Sequence, residues 1–159
     1  MGTNQKATVL VVDDEEMVIT SVKAYLELET EYEVLGFTEP EKAVKHMESN
    51  QVDIAVSDYL MPGMSGIQFL TRAKQLQPEA SRVLLTGHAD KQSAIQAINQ
   101  VGLYQYVEKP WENAQLLLIV QNGIERSQLL RDLREKVSEL DTAHSSLKGV
   151  QKRLLQAFL

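Results

Sequence analysis

The chain predicts an α/β fold built on a parallel sheet, and three observations carry that expectation. Short apolar runs alternate with stretches of helical spacing through residues 7–126. Four of the runs lead into polar residues: Asp13 and Asp14 after Ala7-Thr-Val-Leu-Val-Val12, Asp58 after Asp53-Ile-Ala-Val-Ser57, Thr86 after Arg82-Val-Leu-Leu85, and Lys109 just past Leu103-Tyr-Gln-Tyr-Val107. The βαβαβαβαβα order calls for right-handed crossovers with helices on both faces. Such a sheet gathers the carboxyl ends of its strands at one edge, where open α/β sheets bind ligands.

Each element follows from local pattern. After the first run, Met17, Val18, Val22, Tyr25, Leu26 and Leu28 recur at helical spacing, which predicts a helix from about Glu15 to Glu29. Glu33-Val-Leu-Gly-Phe37 reads as a second strand. Thr38-Glu-Pro-Glu41 opens a second helix, with Thr38 as its expected cap and Pro40 in the first turn, leading into Ala43, Val44 and Met47. On that helix His46 reads as a solvated face residue. Beyond the third run, Met61 and Met64 sit in a Pro-Gly loop and read as packing or partner surface, with no sign of metal binding. Further helices are expected after Gly66, Ala89 and Glu112.

The residues gathered at the edge define a chemistry. Three carboxylates at close quarters repel one another unless a cation intervenes, and hard oxygen ligands suit Mg²⁺. An ammonium and a hydroxyl beside them suit a transferring phosphoryl group, whose transfer needs mainly positioning and charge stabilisation. An Asp nucleophile, a metal, a Lys and a Thr therefore form a sufficient set for making an aspartyl phosphate. Taken singly, each acid reads as a helix cap or loop residue, Thr86 as a strand-end hydroxyl and Lys109 as a surface cation. Their joint placement reverses that reading.

These residues resemble a known family, the receiver domains of two-component response regulators. The resemblance rests on Val11-Val-Asp-Asp-Glu15, Ser57-Asp-Tyr-Leu-Met-Pro-Gly-Met-Ser-Gly66, Leu84-Leu-Thr-Gly87 and Tyr106-Val-Glu-Lys-Pro110, in that order. It implies a flavodoxin-like doubly wound sheet of five parallel strands, ordered 2-1-3-4-5. It further implies Asp58 as phosphoacceptor, with Asp13, Asp14, Asp58 and the backbone carbonyl of Leu60 as Mg²⁺ ligands. Lys109 becomes the phosphate-pairing base, Thr86 and Tyr106 the switch pair, and Lys109-Pro110 a cis peptide. Leu60 and His88, two residues past Asp58 and Thr86, fall where the family tunes loss of the phosphoryl group.

Composition sets limits. At 159 residues and 43% hydrophobic, the chain holds one ordinary core and an appendage. Without cysteine it has neither disulfides nor thiolate metal sites. No apolar stretch nears the roughly 18 residues of a membrane span. The polar start Met1-Gly-Thr-Asn-Gln-Lys6 lacks a signal-peptide core and a myristoylation pattern. No membrane association and a cytoplasmic setting are therefore expected. Of the net charge of −6, the part up to Trp111 holds 16 acids against 9 bases, and the remainder 6 against 7. Neither part has a basic footprint, and no nucleic-acid motif is present, so no direct nucleic-acid contact is expected.

The tail carries a second signal. Leu130, Leu133, Val137, Leu140, His144, Leu147, Gln151, Leu154 and Phe158 follow a 3-4 spacing, the seam of a coiled coil. Its a positions include His144 and Gln151, where polar groups lower stability while fixing register. Lys136 and Asp141 fall at g and e, consistent with a parallel homodimer through residues 130–158. The rival reading is an amphipathic helix packing on its own domain. Around His144, the segment Ala143-His-Ser-Ser-Leu-Lys-Gly149 is only faintly similar to a phosphotransfer histidine motif, its Lys and Gly one residue too distant.

The expected organisation is a receiver over residues 1–126, then a coiled-coil signalling helix over 127–159 leading to an absent C-terminal output domain. Its partner would be a sensor histidine kinase or phosphotransfer protein. A regulatory phosphoacceptor is expected in place of an enzyme acting on other substrates. Two alternatives are a coiled-coil adaptor that is not phosphorylated and an Asp-nucleophile phosphatase of the haloacid dehalogenase type. The adjacency of Asp13 and Asp14 argues against the latter, whose second acid stands two residues on.

Overall fold

The computed structural model describes residues 6–158, with side chains through Ala157. The polar start through Gln5 and the seam position of the Phe158 side chain therefore lie outside the described residues. In chain order the elements are β1 (Thr8–Val12), α1 (Glu16–Glu29), β2 (Glu33–Phe37), α2 (Pro40–Ser49), β3 (Ile54–Asp58), α3 (Gly66–Leu76), β4 (Ser81–Thr86), α4 (Lys91–Ala97), β5 (Gln105–Glu108) and α5 (Asn113–Phe158). The five strands form one parallel sheet in the order β2-β1-β3-β4-β5, as the resemblance implied.

Alternation along the central strands divides the core into two layers. Val9, Val11, Ile54, Val56, Val83 and Leu85 pack with Ile19, Val22 and Leu26 of α1 and Leu116 and Val120 of α5. Leu10, Val12, Ala55 and Leu84 face the other way, onto Ala43 and Met47 of α2, Phe69 and Leu70 of α3, and Ala94 and Ala97 of α4. Both faces are covered, which explains why β1, β3 and β4 read as nearly continuous apolar runs.

Several local expectations are corrected. The cap of α2 lies one residue later than expected: Glu39 is the capping residue, without a side-chain cap bond, and Thr38 stays outside. His46 is half-buried, its ring tilted against Phe37 at 5.6 Å between centroids, so it is not a solvated face residue. The single helix expected after Ala89 is three pieces: a 3₁₀ turn over His88–Asp90, α4, and a π turn over Ile98–Gly102. Helix α3 is closed by a reciprocal capping box, in which Ser65 and Gln68 each accept the other's backbone N–H.

The chain divides into two compact units between Ser127 and Gln128. In the first, Leu116, Ile119, Val120 and Ile124 of α5 belong to the core. In the second, helix continues through Phe158, and Leu133, Val137, Leu140, Leu147 and Leu154 are exposed. No helix among the described residues is long and apolar enough to cross a membrane.

Candidate functional site

Strand register brings the four polar positions together. Val12 pairs with Ser57 and Phe37, so Asp13 stands one residue beyond β1 next to the end of β3, with its N–H bonded to the Phe37 carbonyl at 3.1 Å. Asp58 closes β3 opposite Leu85, and Thr86 closes β4 opposite Glu108. The Lys109 N–H then bonds the Thr86 carbonyl at 2.8 Å, holding the lysine at the same edge. The peptide from Lys109 to Pro110 is cis.

Carboxylate oxygens of Asp13, Asp14 and Asp58 lie within 4.8 Å of one another. Asp13 is fully buried, Asp58 partly so and Asp14 exposed. Lys109 Nζ stands 3.0 Å from Asp58 Oδ1 and 3.2 Å from Asp13 Oδ2. Asp13 Oδ1 accepts the Glu15 N–H at 2.9 Å. Burial pushes the Asp13 carboxyl above its ordinary range, and the Asp58 charge adds to this, against the pull of the Glu15 N–H and Lys109. For Lys109, burial alone would favour the neutral amine, but the two carboxylates overcome it and hold the ammonium above its usual value. Such a pocket fits a hard divalent cation, because one ammonium leaves three clustered acids undercompensated.

The remaining expected residues surround this centre. Thr86 is buried at the end of β4, its Oγ1 donating to the Gly87 carbonyl at 3.1 Å. Tyr106 on β5 is half-buried against the layer that contains Leu84 and Phe69. The Leu60 side chain is exposed, while Met61 and Met64 in the same loop pack against that layer. His88 is exposed with Nδ1 2.8 Å from Glu108 Oε1, and Lys91 Nζ lies 3.9 Å from Glu108 Oε2. These contacts join the 3₁₀ turn and the start of α4 to the end of β5.

Two supporting features were not read from sequence. Gly66 lies against the Asp58 carbonyl so closely that a Cβ would collide with backbone, and its N–H bonds the Tyr59 carbonyl at 2.9 Å. The only sequence signal was a glycine at a helix start. Arg82, on the buried strand β4, donates to the carbonyls of Pro78, Ala80 and Gly102 at 2.9–3.2 Å. A charge inside an apolar run was its signal.

A model of the response regulator receiver domain matches residues 9–121. The chain belongs to that family. It is 31% identical over 146 residues to the hydrogenase transcriptional regulatory protein HoxA of Cupriavidus necator, covering 92% of this chain and 30% of that protein. Thus the chain spans under a third of the length of such curated relatives. Among solved structures it resembles a response regulator receiver domain protein from Clostridium thermocellum, with TM-score 0.72, 32% identity and coverage of 78% and 98% of the two chains. A signal receiver domain of an HD domain-containing protein from Pseudomonas fluorescens gives TM-score 0.77 and 28% identity, covering 83% and 96%. As in receiver domains generally, the role is regulatory.

Proposed function

We propose that the chain is a phosphoacceptor switch, in which Asp58 takes a phosphoryl group from the phosphohistidine of a sensor kinase or phosphotransfer protein. An Asp58 carboxylate oxygen attacks phosphorus, the phosphorus–nitrogen bond breaks, and the imidazole leaves. The observation that carries this reading is the Lys109 ammonium held at 3.0 and 3.2 Å from Asp58 and Asp13 beside a third acid. From that position Lys109 pairs with the equatorial oxygens as negative charge moves onto them. Asp13, Asp14, Asp58 and the Leu60 carbonyl would hold Mg²⁺, which when bound supplies further positive charge to the phosphoryl oxygens.

The new charge recruits the Thr86 hydroxyl away from the Gly87 carbonyl, and Tyr106 turns inward behind it. That shift biases a two-state face made by α4, β5 and α5. Helix α5 passes the bias into a parallel pair of tails seamed through residues 130–158, and from there to a C-terminal output domain. The working compartment is the cytoplasm, where kinase and regulator meet.

Incubation with acetyl phosphate and Mg²⁺, followed by intact-mass measurement, tests the central step. One added phosphoryl group is expected, absent without Mg²⁺ and absent in Asp58→Asn. A gain that survives Asp58→Asn overturns the assignment.

A further inference from the structure

The unbroken 3-4 seam of the tail is not the most apolar path along α5. From Leu130 to Leu140 the spacing 130, 133, 137, 140 is wholly apolar. Continuing that heptad buries His144 and Gln151 in both helices of a pair, each at a desolvation cost unless partnered. One step aside, Leu140, Ala143, Leu147, Val150, Leu154 and Ala157 follow a 3-4 spacing without a polar residue. All of these are exposed on the helix, Val150 at 43% and Leu140 at 69% among them. The unshifted seam has Leu155 on its flank, Phe158 at its last a position and the Lys136–Asp141 pair in its favour, which weigh less than two buried polar side chains.

We propose that the tail pairs with a second copy of this chain through a seam that changes register at Leu140, where two three-residue steps, 137 to 140 and 140 to 143, lie back to back. This rests on the parallel-dimer reading above. A three-residue insertion in a heptad overwinds a coiled coil locally, so rotation of the helices before Leu140 is coupled to a different rotation after it. The discontinuity is a place where a twist applied to α5 from the receiver is converted before it reaches the far end of the helix.

Polar complementarity along the flanks of the shifted seam selects a second copy as the occupant. In the shifted register Leu140, Leu147 and Leu154 take a, and Ala143, Val150 and Ala157 take d. Glu139 then stands at g and His144 at the next e, five residues on, so in a parallel pair each Glu139 faces His144 of the other copy. Ser146 and Gln151 form the next such pair, able to hydrogen-bond. The change of register moves Asp141 from e to b, so its pairing with Lys136 belongs to the unshifted seam alone. Polar residues that would weaken the unshifted seam become its flanking contacts.

The chain has no cysteine, so single cysteines report register directly. A disulfide between copies requires Cα atoms within about 7 Å, which seam positions meet and flanking positions do not. Leu133→Cys and Val137→Cys lie in the seam under either register and should cross-link on mild oxidation with copper-phenanthroline. Ala143→Cys and Val150→Cys should cross-link several-fold faster than His144→Cys and Gln151→Cys in the full chain. Equal rates, or faster linking at His144→Cys and Gln151→Cys, overturn the register change while leaving the dimer standing. Absence of cross-linking at Leu133→Cys and Val137→Cys, with monomeric mass by light scattering, overturns both.

Discussion

Lys109 Nζ lies 3.0 Å from Asp58 Oδ1, joining the loop after β5 to the last residue of β3. Because the same ammonium also reaches Asp13, it compensates charge in the resting fold and, in the proposed function, would meet the charge that develops on a phosphoryl group. Lys109→Gln should therefore do two things. Phosphorylation by acetyl phosphate should slow about a hundredfold. The unfolding free energy from urea denaturation without Mg²⁺ should fall by about 3 kcal/mol, because a buried carboxylate loses its partner. A variant phosphorylated at the wild-type rate would remove Lys109 from the chemistry.

Asp13 carries the opposite lesson. Its folded-state affinity for a proton is raised, first by burial and further by Asp58, so the ionised form costs stability. Relative to neutral pH, the stabilising effect of protonation is complete below the ordinary aspartate value of 3.8 and is lost as pH rises through the elevated folded value. Asp13→Asn keeps an oxygen for the Glu15 N–H and should raise the urea midpoint at neutral pH. Millimolar Mg²⁺ should stabilise the wild type by ligand linkage and leave Asp13→Asn nearly unmoved. Equal Mg²⁺ stabilisation in both proteins would count against Asp13 as a ligand.

Gly66 sets the position of Asp58 through backbone contact. A methyl group there meets the Asp58 carbonyl, which cannot yield as the end of a flexible side chain would. Gly66→Ala should cost about 2 kcal/mol as an overpacked site and slow phosphorylation at the same time. Gly149→Ala, where nothing lies within 4 Å, is the control and should do neither. Wild-type stability in Gly66→Ala, measured by urea unfolding, would show that the loop after β3 relaxes freely.

Periodicity made much of the fold legible in advance. Strand ends, and so the convergence of Asp13, Asp58, Thr86 and Lys109, were visible because apolar runs stop where the sheet stops. The resemblance gave Lys109 a phosphate-pairing role but not its reach to both acids, since no local pattern fixes a side chain at the far end of another strand. Thr38 failed as a cap because Pro40 already fixes the first helical residue and leaves Glu39 in the cap position. His46 was misread because its cover comes from Phe37, at the end of a neighbouring strand. The π turn at Ile98–Gly102 left no mark that helical spacing could register, and Arg82 holds the Gly102 carbonyl behind it across twenty residues.

The His88 and Glu108 pair provides a pH readout of the face beside the site. Glu108 sits below the ordinary glutamate value of 4.5, chiefly through its contact with His88, with the Lys91 charge adding to it. A lowered carboxylate stabilises the fold above its unfolded value, and that contribution disappears as pH falls through the lowered one. Both side chains are solvent-accessible, so the effect on global stability should be small. The local effect is larger, because this pair ties the turn after Thr86 to the strand that precedes Lys109. In a carbon-detected NMR titration the Glu108 carboxyl should therefore have a midpoint below 4.5, and His88→Ala should move it upward. Amide signals of residues 88–91 should broaden in the same variant as the turn loses its tether to β5. If the Glu108 midpoint stays in place in His88→Ala, Lys91 alone holds the carboxylate, and the 3₁₀ turn is fixed by its backbone.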